Sequence, residues 1–462
     1  MSGGSPQASR ALSSPVDVWH GLLRPDVELT PEFCAELNAR MRAERLTFGD
    51  RVHCPFLRPF FIDELEEARV RPVAETIAAL GERVIEAALA SPSLLAQVGL
   101  SPAEERLVRM EPGYARASTA SRLDAFLLPD SLQFAEYNAE SPAGLGYAET
   151  LAEVFRSLPI TARFEEHFRV KTYPLSSSIL DALLASYREW GGKSQKPVIA
   201  IVDWREVPTW SEFQILRERF EKRGIPTLVS DPRDLEFDGS TLTAQGQKID
   251  LVYRRVLIND IVAHPAECAA LVRACETRAV CVANTFRCKI PHKKAFFAVL
   301  TDERNSNLFS GPELEVIRRH VPWTRRVEDV RTTRDGKPVE LLEYARANRE
   351  NFVIKPNDEY GGTGVTLGWE TTPSAWEAAI SKAIAKPEDA WVLQERIAVR
   401  REVFPYVEPA GGVVMRDMLV DFAPYLFRGR LSGYLTRLSA TGLANVTSGG
   451  GQVPAFHVSP RN

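Results

Sequence analysis

At 462 residues and 44% hydrophobic content, the chain has material for two or three domains. Its 57 basic and 61 acidic residues leave a net charge of only -4, which excludes the electrostatic footprint of a nucleic-acid or anionic-membrane binder and leaves small molecules as the default partner. No apolar run approaches a membrane span, and residues 1–15 (MSGGSPQASRALSSP) lack the apolar core of a signal peptide, so a soluble, cytoplasmic protein is expected.

Residues 1–108 read as an N-terminal helical region behind a loosely tied Ser/Gly/Pro-rich start. TPEFCAELNARMRAE has a Thr cap followed by Pro and Glu, and RPVAETIAALGERVIEAALAS repeats apolar residues every three or four positions. The six cysteines, at 34, 54, 268, 275, 281 and 288, show neither CxxC pairing nor His partners at zinc spacing, which predicts reduced structural thiols. No His sits beside a Ser or Cys in a nucleophile motif.

Residues 109–195 open on Arg116, a candidate anion contact or an ordinary surface charge, and then carry RLDAFLLPDSLQFAEYNAESPAGLG. Two apolar-alternating runs flank Pro129-Asp130-Ser131, which predicts a β-hairpin. A loop of those three residues sets Asp124 opposite Glu136 and Arg122 opposite Asn138, all on one face, with Leu123, Ala125, Ala135 and Tyr137 on the other. Two carboxylates facing each other across a ladder call for a cation between them, and Asp, Glu and Asn supply only oxygen, which suits Mg²⁺. Arg122 beside such a site would suit a transferring phosphoryl group. A solvated face carrying ordinary charges is the alternative. The SPAGLG loop, with Ser141, would aim backbone N–H groups toward this region from the start of the helix in YAETLAEVFRSL.

The pattern changes over residues 196–283, where KPVIAIVDW, IPTLVSD and KIDLVYRRVL read as strands and WSEFQILRERFEKRG as an amphipathic helix ending on Gly224. This alternation predicts a small parallel α/β domain whose ligands sit at strand carboxyl ends. Asp203, Arg205, Arg254 and Arg255 fall at such ends and are substrate candidates, with surface pairing as the competing explanation.

In residues 284–462, NFVIKPNDEYGGTGVTLGWE delivers Lys355 on a strand, then Gly361, Gly362, Thr363 and Gly364, then a second strand. Glycines let backbone amides close on phosphate oxygens, and a lysine adds a point charge. No GKS or GKT follows, so this is not a Walker loop. WVLQERI then offers Gln394, Glu395 and Ile397 as polar groups and backbone for an adenine edge.

Taken together these pieces resemble the ATP-grasp superfamily, in which a lysine strand and glycine loop cover the nucleotide phosphates, a QE-type linker holds adenine, and E-x-N holds Mg²⁺. Glu136-Tyr137-Asn138 precedes Lys355 by more than 200 residues, the order of the circularly permuted branch that includes glutathionylspermidine synthase. That family pairs R-x-D with an E-x-N twelve residues past the Asp, as Arg122-Leu123-Asp124 and Glu136-Tyr137-Asn138 do here (136 − 124 = 12). The resemblance implies a circularly permuted ATP-grasp fold of the α/β (α+β) class. It further implies Mg²⁺ ligation by Asp124, Glu136 and Asn138, and Arg122 as the catalytic guanidinium. PHKKAFFAVL looks like the family's N-K-A helix, which makes Lys294 a second phosphate lysine and leaves Lys293 as the alternative. Arg437, Asn445 and the glycines from 449 to 451 are candidates for the acceptor side.

The activity so implied is an ATP- and Mg²⁺-dependent carboxylate–amine ligase working through an acylphosphate. A small-molecule kinase and a non-catalytic ATP-binding protein are the alternatives.

Overall fold

The computed structural model describes residues 14–49, 51–409, 411–441 and 450–461. The elements that build the candidate site are, in chain order, α1 (Glu64–Ala90), the hairpin β1 (Ala120–Leu127) and β2 (Leu132–Asn138), and α2 (Leu145–Arg156). Next come β3 (Ile199–Val202), α3 (Trp210–Lys222), β4 (Thr227–Ser230), β5 (Leu251–Arg254), β6 (Cys281–Ala283) and α4 (Ala295–Thr301). They are followed by β7 (Thr324–Arg326), β8 (Phe352–Lys355), β9 (Thr366–Leu367) and β10 (Val392–Glu395). Last are β11 (Arg400–Val407), β12 (Val413–Phe427), β13 (Arg430–Ser439) and β14 (Gly451–Val453).

These strands form three sheets that matter here. An antiparallel sheet runs β14-β13-β12-β1-β2, with β11 pairing the first half of β12. The central strand β12 is 15 residues long and almost wholly apolar from Met418 onward, as a strand covered on both faces must be. Asp421 interrupts that run. A second sheet, β7-β10-β8-β9, is antiparallel and shorter. It covers its own core of Trp323, Phe352, Trp376 and Trp391. The third, β6-β5-β3-β4, is parallel throughout, with α3 crossing from β3 to β4. The architecture is therefore mixed α/β.

Among the described residues, the stretch from 14 to 108 is mostly helical, and its helix ends obey cap chemistry. The helix Pro31–Ala43 starts where the Thr30 hydroxyl accepts from Phe33 N–H, and α1 carries a reciprocal capping box of Asp63 and Glu66. This region is not self-contained, because the strand Phe60–Ile62 pairs in parallel with Ala455–Pro460 near the other end of the chain. All six cysteines are free and buried, in keeping with structural thiols. Among the described residues no helix is long and apolar enough to cross a membrane.

Candidate functional site

The hairpin has the expected register at the charged pairs and a different one beyond them. Arg122 pairs with Asn138 and Asp124 with Glu136, but Ala125 faces Phe134. The loop is four residues long, Leu128 to Ser131, closed by Leu128 N–H donating to Ser131 O at 2.8 Å. A loop one residue longer would shift every partner, and a bulge at Ala135 absorbs the shift before the charged pairs are reached. Ala135, expected in the core, is therefore only half-buried and lines a cleft, while Phe134 takes the core position with no exposure.

That cleft, about 170 Å³, lies between the hairpin, the β12–β13 face and the second sheet. Into it project Asp124 and Glu136 from the hairpin, Lys294 from the start of α4, Lys355 from β8, and Gly361 and Gly362 from the turn that follows. Residues 394–397 close one side, with Gln394, Glu395 and Ile397 in the lining. The glycines at 361, 362 and 364 have φ of 66°, 78° and 72°, a conformation that side chains resist. A Cβ on Gly364 would come within 2.7 Å of Pro356. Thr363 and Gly364 are exposed and are absent from the cleft lining.

The charged groups hold one another. Arg122 Nε donates to Asp124 Oδ1 at 3.0 Å, and Asn138 Nδ2 donates to the same oxygen at 3.1 Å and to Glu136 Oε1 at 3.4 Å. Asp124 Oδ2 accepts from Arg437 Nη2 at 2.6 Å. Burial alone would raise the Asp124 carboxyl, but the Arg122 and Arg437 guanidiniums outweigh it and hold it well below the usual range. Lys294 Nζ lies 3.5 Å from Glu136 Oε2 and donates to Glu359 O at 2.5 Å. Lys293 turns away into ion pairs with Glu104 (2.8 Å) and Asp358 (2.9 Å), so Lys294 is the cleft lysine. Lys355 Nζ donates to Gln394 Oε1 at 2.7 Å, and burial lowers it to about 8 against the pull of Glu136.

Asp124, Glu136 and Asn138 can offer a cation oxygen only. Among the described residues no three His, Cys, Asp or Glu side chains form a ready metal cage. An ion here would draw its remaining ligands from phosphate and water, the usual habit of Mg²⁺.

No protein-family model matches the chain. It is 26% identical over 272 residues to a Frankia alni protein provisionally named glutamate–cysteine ligase 2-3, an alignment covering 57% of this chain and 29% of that one. A Frankia casuarinae protein provisionally named glutamate–cysteine ligase 2-2 is 24% identical over 250 residues, covering 50% and 26%. The chain thus spans between a quarter and a third of the length of the curated relatives it matches. Its fold is shared with a glutathione synthetase like-effector from Globodera pallida in apo form, with a TM-score of 0.62 over 95% of this chain and 99% of that one at 11% identity.

Other candidates lie elsewhere. The N–H groups of Gly144 and Gly146 do not point at the cleft; both donate to the buried Glu212 carboxylate, at 2.9 and 3.0 Å. Ser141 Oγ donates to Arg255 O, and Arg255 Nη1 to Pro142 O, so these residues tie the post-hairpin loop to the parallel sheet. Arg254 is fully buried against Glu140 at 3.1 Å and cannot meet a substrate. Arg205 is an exposed partner of Asp231 and Asp234. Asp203 is buried at the end of β3, which pushes it up to about 6. Arg116 packs by Gly429, at the turn joining β12 to β13. Asn445 and Gly449 fall outside the described residues.

Asp421 was not anticipated. It lines the cleft, accepts from Ala125 N–H at 3.1 Å, and takes Arg437 Nε at 2.6 Å across the β12–β13 ladder. The available signal was an Asp inside an apolar strand, a position that demands a partner.

Proposed function

We propose that the chain is an ATP- and Mg²⁺-dependent carboxylate–amine ligase of the circularly permuted ATP-grasp type. The observation that carries this reading is the single cleft shared by Asp124, Glu136, Lys294, Lys355, the glycine turn and residues 394–397, which come from stretches as far apart as 124 and 397. In the proposed division, residues 109–195 and 284–462 contribute the two parts of the ATP-grasp unit, 196–283 form the small parallel domain, and 1–108 the N-terminal helical region. The shared fold and the names of the Frankia relatives support amide-bond chemistry.

In the reaction, a substrate carboxylate oxygen attacks the γ-phosphorus of ATP and ADP leaves. An amine then attacks the acyl carbon, inorganic phosphate leaves, and the nitrogen loses its proton. Mg²⁺ held by Asp124, Glu136 and Asn138 would supply charge neutralisation at the phosphoryl oxygens. Arg122 places a guanidinium next to Asp124, on the hairpin face where the transferring group would sit. Lys294 and Lys355 enter the cleft from different elements and orient the polyphosphate from two sides. The turn at 361–364 covers the bound phosphates and excludes water that would hydrolyse the acylphosphate. Backbone at Glu395 and Ile397 meets the adenine edge.

The test is to screen amino acids, short peptides and polyamines for substrate-dependent ADP release, with mass spectrometry of the product. A ligase yields a condensed product and free phosphate only when both carboxylate and amine are present. Phosphate retained on a product formed without an amine would make it a kinase, and ATP binding without turnover on any pair would leave a binding protein.

A further inference from the structure

The candidate metal ligands are occupied by the protein's own cations. Asp124 Oδ1 receives Arg122 and Asn138, and Asp124 Oδ2 receives Arg437. Glu136 receives Asn138 on one oxygen and faces Lys294 on the other. Arg437 is placed for this by two carboxylates: its Nη2 bridges Asp124 Oδ2 at 2.6 Å and Asp421 Oδ2 at 2.5 Å, while Nε holds Asp421 at 2.6 Å. Asp421 is itself fixed by the Ala125 amide and is buried to 1% exposure. Two guanidiniums and two carboxylates therefore balance in charge within the sheet. A divalent ion added at Asp124 must take the oxygen that Arg437 holds, and it brings two positive charges that nothing there compensates. Arg437 can yield that oxygen without losing its anchor, because the Nε contact to Asp421 does not involve Asp124.

We propose that Arg437 occupies Asp124 as the resident cation until a divalent ion replaces it, with Asp421 retaining the displaced guanidinium. The inference rests on the metal assignment proposed above and adds a consequence to it. The ion alone binds weakly, and it enters with a nucleotide whose phosphates restore the charge balance. Arg437 and Asp421 are thus positioning residues for metal entry, and the two binding events at Asp124 are linked through one oxygen atom.

The experiment measures Mn²⁺ binding to the full chain by electron paramagnetic resonance, with and without ATP, in the wild type, in Arg437→Met and in Arg437→Met/Asp421→Asn. The double variant removes one charge of each sign, so its site keeps the wild-type net charge and no carboxylate is left orphaned in the sheet. A gain there reports the freed oxygen and not added negative charge. The expected result is Mn²⁺ affinity without nucleotide at least about tenfold above wild type in both variants, a size typical of direct coupling between two ligands. Asp124→Asn introduced on top should abolish the gain. Affinity unchanged or lower in the double variant, with wild type still binding Mn²⁺–ATP through Asp124, overturns this inference alone. Binding of Mn²⁺–ATP that ignores Asp124→Asn overturns the metal assignment, and this inference with it.

Discussion

Two charge clusters sit a few residues apart in sequence and behave oppositely. Glu136, Asn138 and Glu140 follow one another at alternate positions, yet the Glu136 side chain is 27% exposed in the cleft and that of Glu140 is 0% exposed beneath it. Around Glu140 the carboxylates of Glu104 and Asp358 meet Lys289, Lys293 and Arg254, three anions against three cations. Burial opposes ionisation of Glu140, but Lys289 and Arg254 hold it below its ordinary value; burial lowers His292 alongside to about 4, so it stays neutral. This cluster joins the hairpin, the end of β5, the segment before α4 and the stem of the glycine turn. Lys294 N–H also donates to Asn357 O, so Lys294 and the turn's stem form one body, and any closure begins beyond Asp358. The cleft cluster is arranged to exchange partners; the sealed one is arranged to keep them.

The largest expected effect comes from breaking the sealed cluster. Glu140→Gln removes the anion shared by Arg254 and Lys289 and should cost about 3–5 kcal/mol of unfolding free energy, the usual consequence of leaving buried charge unpaired. Urea denaturation measures it, and a loss under about 1 kcal/mol would erase the distinction between the clusters. In the cleft, Asp124→Asn should lower ATP-dependent turnover by about 10²- to 10³-fold, as loss of a group acting on developing charge does. Its stability cost should stay near 1–2 kcal/mol, below that of a sealed pair, because Arg437 keeps Asp421 and Arg122 keeps the Ala143 carbonyl. Unchanged turnover would refute the metal assignment.

Lys355 sharpens the contrast from the other side, since it is a cleft cation whose charge the fold disfavours. Its folded value of about 8 lies below the ordinary 10.5, so between those limits the folded chain has released a proton that the unfolded chain still binds. Stability must then rise with pH from about 8 to 10.5. Below that window the charged lysine costs about 2 kcal/mol after allowance for its partial exposure. Lys355→Met should therefore raise stability at pH 7 by about that amount, flatten the alkaline rise, and weaken ATP binding, a trade of function against stability. Denaturation at pH 7 and 9.5, with nucleotide titration alongside, checks all three.

The chain's elements were largely legible because their signals are local. The Thr30 cap, the apolar period of α1 and the strand–helix alternation after residue 196 each act within a few residues. The register at Asp124–Glu136 could be read because one face of the hairpin had to be apolar. The bulge at Ala135 could not, since it depends on a four-residue loop that the composition of Pro129-Asp130-Ser131 does not specify. Arg254 and Arg255 fell at a strand's carboxyl end, where ligands gather, but burial and not position decides their role: Arg254 is buried against Glu140, 114 residues away, and Arg255 against Pro142 and Tyr253. Asp421 was missed for the same reason: its importance lies in a cross-strand partner, Arg437, and in the Ala125 amide on β1.

The smallest effect concerns Arg205, which shares the strand-end position of the buried arginines without their surroundings. Its side chain is 54% exposed, and Asp231, the partner it would leave, keeps Arg233 at 2.6 Å and two backbone N–H groups. Arg205→Ala should thus change unfolding free energy by less than about 1 kcal/mol, as exposed pairs do. With its guanidinium drawn onto Asp234 at 2.7 Å, outside the cleft lining, it should also leave the KM for ATP unchanged. The KM for the carboxylate or amine is the informative readout. A rise of about tenfold there, with stability and ATP binding intact, is roughly the 1.4 kcal/mol of one lost charged contact. It would extend the working surface from the cleft to the carboxyl ends of the parallel sheet, and Asp203, buried beside Arg205 at the end of β3, would then belong to the same surface.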